Sequence, residues 1–195
     1  MAARFAKLDL KNTSFLLCDI QTKFRPSMKF FDPFVVNSNK LVKAGKILNV
    51  PLLATEHYPK ALGHIVDEID VSHAKCVLPK TKFSMYIPEL EKNLKEIGNV
   101  KNIVLFGLEA HICVEQTTLD LLENGYNVHL VADCVMSRIL QDRDLAIERM
   151  RQYGCFITTS ESVIFSLMVD KNHEKFKECS ALVREPSVDV GLAKK

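Results

Sequence analysis

Three residues in the 195-residue chain are of types that together could break a carbonyl–heteroatom bond: a carboxylate, an ammonium and a thiol. Asp19 stands in Leu17-Cys18-Asp19-Ile20-Gln21, at the end of an apolar run that would shield it from water. Burial raises a carboxylate's proton affinity and a nearby cation lowers it, so such an Asp can act as a tuned proton acceptor. Lys80 follows another apolar run, in Val77-Leu78-Pro79-Lys80-Thr81-Lys82-Phe83-Ser84, where a cation could steady both a carboxylate and a thiolate. Cys113 follows a third, in Gly107-Leu108-Glu109-Ala110-His111-Ile112-Cys113-Val114, with a helix expected from Val114. Amide N–H groups and the dipole at a helix N-terminus favour a thiolate. The same amides could hold an oxyanion. His111 is a rival base, but two residues from Cys113 across a tight turn its ring need not reach the sulfur, and a positional role is expected. The chemistry would be nucleophilic catalysis by an activated cysteine.

The other five cysteines, Cys18, Cys76, Cys134, Cys155 and Cys179, form no CxxC or CxxH pair and read as free structural thiols. Composition fits one globular domain, with 47% apolar and 26% charged residues. The 26 basic and 24 acidic residues are interspersed, net +2, with no basic stripe to attract nucleic acid. No apolar run is long enough for a transmembrane helix, so no membrane partner is expected. The N-terminus, with Arg4 and Lys7, reads as a solvated terminus without a secretory signal, giving a cytoplasmic expectation with a mitochondrial or nuclear fraction left open.

Positioning such residues requires a sheet. Apolar runs at Ser14–Ile20, Pro51–Thr55, Lys75–Leu78, Asn102–Gly107, Asn127–Ala132 and Cys155–Thr159 are rich in Val, Ile, Leu and Phe, as strands buried on both faces are. Helical stretches lie between or after them, at Pro33–Leu48, Glu89–Ile97, Val114–Glu123, Gln141–Tyr153, from Ser160, and at Lys171–Leu182. The alternation predicts an α/β fold with a mostly parallel sheet. Ligands then bind beyond the carboxyl ends of the strands, where all three candidates fall. Residues 171–185 read as a C-terminal helical extension and 186–195 as a disordered tail.

With these residues placed, the chain resembles the isochorismatase-like cysteine hydrolases, and among them the eukaryotic isochorismatase domain-containing proteins. The resemblance covers residues 12–170 and rests on LLCDIQTKF (16–24), LPKTKFSM (78–85) and GLEAHICVEQT (107–117) in that order. It implies a single-domain three-layer α/β/α fold with a six-stranded parallel sheet in the order 3-2-1-4-5-6. That order brings the first and fourth strands together, and with them Asp19 and Cys113. By the family's pattern Asp19 is the proton acceptor, Lys80 the lysine (Lys82 matches a variable position) and Cys113 the nucleophile. A cis peptide at Leu108–Glu109 is implied, as is an oxyanion hole from the amides of Glu109 and Cys113. Phe24 matches a pocket-wall aromatic, and His57, Phe83 and His111 are further pocket candidates.

Two departures shape the expected activity. Nicotinamidases hold a metal through Asp-x-His after the second strand, where this chain reads Thr55-Glu56-His57-Tyr58-Pro59. Glu56, His57 and His64 could supply some ligands, but no metal and no other cofactor is expected. Members that cleave isochorismate can lack the cysteine, so keeping Cys113 points to acyl chemistry on a small amide, imide or carbamoyl substrate. The alternatives are a catalytically silent binding or scaffold protein and, against the charge pattern, a nuclease. A small-molecule substrate and a homo-oligomer (dimer or tetramer) are the expected partners; Ile164, Phe165, Leu167 and Met168 are interface candidates that core packing explains equally well.

Overall fold

The computed structural model describes residues 7–192. Arg4 and the rest of residues 1–6, like residues 193–195, lie outside the described residues.

Six strands form one sheet in the order β3-β2-β1-β4-β5-β6, with every pairing parallel. They are β1 (Thr13–Cys18), β2 (Leu52–His57), β3 (Cys76–Lys80), β4 (Asn102–Leu108), β5 (Asn127–Met136) and β6 (Phe156–Thr158). The central β1 and β4 are buried throughout, which is why they read as unbroken apolar runs. The edge strands β3 and β6 are short and mostly half-exposed; brevity limits the unpaired backbone an edge offers to other chains.

The helices are α1 (Phe31–Ile47), α2 (Pro59–Leu62), α3 (Pro88–Ile97), α4 (Glu115–Glu123), α5 (Leu140–Gln152), α6 (Ser160–Met168) and α7 (Phe176–Leu182). A 3-10 turn covers Thr22–Ser27 and a π-helical turn Ala110–Val114. Side chains alternate across the sheet. Phe15 and Leu17 of β1 join α1, α6 and α7 in one apolar layer, whereas Leu16 and Cys18 join α3, α4 and α5 in the other. The expected three-layer α/β/α fold and its strand order are therefore observed.

The differences are local. Strand β5 runs four residues past Ala132, aided by a register shift opposite Leu105–Gly107 of β4. Strand β3 takes in Pro79 and Lys80, which its edge position permits because the missing proline N–H faces no partner strand. The interface candidates Ile164, Leu167 and Met168 are buried in the core, while Phe165 is partly exposed. The expected disordered tail is held down as far as it is described. Val190 is buried, Asn37 and the backbone of Val188 exchange two hydrogen bonds of 2.9 Å, and the buried guanidinium of Arg143 donates to the carbonyls of Val190 (2.6 Å) and Gly191 (2.9 Å). No helix among the described residues is long and apolar enough to cross a membrane.

One glycine decides how closely the central strands approach. Gly107 of β4 lies in register with Cys18 of β1 at φ 131°, and a Cβ there would sit 2.0 Å from the Cys18 carbonyl oxygen. Only glycine fits that contact.

Candidate active site

Asp19 is the first residue beyond β1, at φ 53°, and its side chain is 1% exposed. Its carboxylate is nearly saturated with donors. Thr55 of β2, opposite Cys18 in the register, donates its hydroxyl to Oδ1 at 2.8 Å. Lys80 Nζ lies 2.6 Å from Oδ2, and the Cys18 thiol donates to the same oxygen at 3.5 Å.

Lys80 ends β3 and pairs in register with His57 of β2. Its ammonium also donates to the carbonyls of Phe83 (2.8 Å) and Lys82 (3.1 Å) and approaches His57 Nδ1 at 3.4 Å. Burial alone would lower its proton affinity, but the adjacent Cys18, Asp19 and Cys113 outweigh burial and raise it. The group is thus a fixed cation at neutral pH. His57 is pushed the other way, first by burial and then by the Lys80 charge, and is neutral there. Its ring stacks on Phe83 at 5.6 Å. Lys82 is drawn off to Asp120 at 2.7 Å.

Cys113 sits inside the π-helical turn that leads into α4, rather than just ahead of a regular helix. It is 7% exposed. The donor atoms of Asp19, His57 and Cys113 lie within 4.8 Å of one another. Behind it, Thr117 donates to the Cys113 carbonyl at 2.6 Å and accepts from the Met85 amide at 2.9 Å, tying the thiol's turn to the loop after β3. The Leu108–Glu109 peptide is cis, as the resemblance implied. The buried Glu109 carboxylate accepts from the Arg138 amide at 3.0 Å.

The fold thus gathers Asp19, Lys80, Cys113 and His57, with Phe83 stacked at the margin. His111 is not part of the cluster. Its Nδ1 is 2.9 Å from the Ser137 hydroxyl and its Nε2 4.0 Å from Asp142, so the ring is turned towards α5. Phe24, in the 3-10 turn, packs against the core layer that holds α1. Two residues of the site escaped the sequence reading. Cys18 read as one more buried thiol, and Thr55 as an ordinary strand residue. Only the β1–β2 register puts Thr55 beside Asp19.

The donors present do not suit a divalent metal. Lys80 Nζ already stands within 3.4 Å of two members of the Asp19–His57–Cys113 group, and a second cation there would meet its full charge. Glu56 is engaged elsewhere, accepting from the Ile65 amide at 2.9 Å and pairing with His64 at 3.0 Å.

Comparison with known proteins agrees with this architecture. The isochorismatase domain family model matches residues 13–162. Isochorismatase domain-containing protein 1 of Danio rerio is 47% identical over 181 residues, 93% of this chain and 64% of that protein, so the chain spans under two thirds of that relative's length. Isochorismatase domain-containing protein 2 of Xenopus laevis is 44% identical over 97% of this chain and 92% of its own. A solved structure described as MAR1 ribonuclease from Caenorhabditis elegans is 43% identical, with a TM-score of 0.93 over 97% of this chain and 98% of that one. The chain belongs to the isochorismatase family.

Proposed function

We propose that this protein is a metal-free cysteine hydrolase that cleaves a small amide, imide or carbamoyl compound through a covalent Cys113 intermediate. The observation that carries the reading is a buried carboxylate, Asp19, held by the Lys80 ammonium at 2.6 Å with the Cys113 sulfur within 4.8 Å. Asp19 takes the thiol proton, and the thiolate attacks the substrate carbonyl. The amides of Glu109 and Cys113 receive the oxyanion. Collapse expels the amine with the proton returned by Asp19, and water then cleaves the thioester. Lys80 keeps the cluster near neutrality at each stage. His57, Phe83, Phe24 and His111 are offered as pocket residues.

Incubation with a metabolite extract followed by mass spectrometry should show an adduct on the Cys113 peptide, absent from Cys113→Ser. If Cys113 forms no adduct, and alkylates no faster than a model thiol at neutral pH, the reading is lost.

A second reading, RNA cleavage, is favoured by the description of the Caenorhabditis elegans structure as a ribonuclease. Against it stand the net charge of +2 and interspersed charges, since phosphate recognition calls for a basic surface. Incubating the chain with labelled RNA across a salt series separates the two: cleavage lost in Cys113→Ser would favour the nuclease, and intact RNA the hydrolase. We further propose self-association as a dimer or tetramer, to be read by sedimentation equilibrium.

A further inference from the structure

Beyond Asp19, Lys80 and Cys113, one buried thiol touches both halves of the proposed machinery. Cys18 is fully buried, and its single S–H proton faces two oxygen acceptors at nearly equal distance, with the Cys113 sulfur as a further hydrogen-bond partner. The two oxygens are Asp19 Oδ2 at 3.5 Å and the Leu108 carbonyl at 3.4 Å. That carbonyl belongs to the same amide group as the Glu109 N–H, one of the two donors assigned to the oxyanion hole. A hydrogen bond accepted at an amide oxygen polarises the group and strengthens donation from its nitrogen.

We propose that Cys18 is a positioning residue that couples the base to the oxyanion hole, its S–H passing from Asp19 Oδ2 to the Leu108 carbonyl as Asp19 takes the Cys113 proton. The inference rests on the hydrolase reading above. Before attack, Asp19 is an anion and competes well for the S–H. Once protonated it has no charge to attract that proton, and the Cys113 sulfur, by then bonded to the substrate carbon, has passed its charge to the substrate oxygen, while the Leu108 carbonyl is unchanged. The S–H therefore swings to Leu108 at the moment negative charge develops on the substrate oxygen. Cys18 neither gains nor loses a proton; one proton moves from Cys113 to Asp19, and one hydrogen bond changes acceptor. Burial, followed by the adjacent Cys113 thiol and the Asp19 charge, holds the Cys18 thiol well above the ordinary range, so it stays a donor at neutral pH.

Two reactions of Cys113 separate this role from plain packing. Alkylation by iodoacetamide needs the thiolate but forms no oxyanion. Acylation by 4-nitrophenyl acetate, read as a burst of nitrophenolate, needs both. Their rate ratio, taken on one sample with Cys113→Ser as the blank, cancels any loss of folded protein. In Cys18→Ala the ratio of acylation to alkylation should fall about three- to fivefold. Cys18→Ser, which keeps a donor, should restore most of it. An unchanged ratio in Cys18→Ala, or a Cys18→Ser ratio as low as that of Cys18→Ala, overturns the inference and leaves the hydrolase intact. A wild-type Cys113 that reacts with neither reagent faster than a thiol peptide overturns the hydrolase reading, and the inference with it.

Discussion

The Lys80 ammonium has three protons and four neighbours: Asp19 Oδ2, the Phe83 and Lys82 carbonyls and His57 Nδ1. It is saturated and immobile, a fixed charge rather than a proton donor. Removing it strands the Asp19 carboxylate in the interior. Lys80→Met should therefore lower unfolding free energy by about 3–5 kcal/mol, measured by urea denaturation, and slow Cys113 alkylation. Adding Asp19→Asn should recover part of the stability and none of the reactivity, because the two residues share one interaction. Lys80's proton affinity is raised by folding, so its stabilisation is complete at neutral pH and fades only as alkaline pH passes the folded value. Asp19, Lys80 and Cys113 were legible in the sequence because each follows an apolar run and stands in a recognisable motif. Cys18 and Thr55 were not, since their part depends on which strand lies beside which and in what register.

At the scale of elements, the interior strands were legible and their ends were not. β1 and β4 announce themselves by unbroken burial. The last four residues of β5 do not, because its extension depends on an irregularity in pairing with β4. The π-helical turn that carries Cys113 also had no sequence signal, since a wide turn and an α-helical turn use the same residue types. Strand β5 carries a liability of its own. His129 is 6% exposed, its Nε2 lacks a hydrogen-bond partner among the described residues, and burial pushes its pKa down to about 4. Its unfolded value is about 6.5, so the unfolded chain binds the extra proton over this interval and stability falls as pH drops. Between pH 7.5 and pH 5 the loss from this residue should be about 2 kcal/mol. Urea midpoints of the wild type and His129→Leu compared at the two pH values check it: a variant with the same acid sensitivity as the wild type sinks the assignment.

For the whole molecule, the sequence conveyed the layers but not the contacts made by the described part of the C-terminal segment. Its composition, EPSVDVGLAKK, suits a disordered tail, yet side chains more than 40 residues away in sequence, on α1 and α5, hold its backbone. Composition cannot register a contact made by main-chain carbonyls. Ending the chain at Glu185 should strip Arg143 of two acceptors and expose the Val190 site, lowering Tm by about 5–10 °C in a thermal melt. A larger consequence follows from β1 and β4 lying side by side, Thr13 opposite Asn102. A ribosome releases the base, then the ammonium, and the nucleophile last of the three. Until β4 docks against β1, the emerging chain holds a proton acceptor without the Cys113 nucleophile it is to serve. The proposed chemistry is thereby withheld from the nascent chain and begins only when the middle of the sheet has closed.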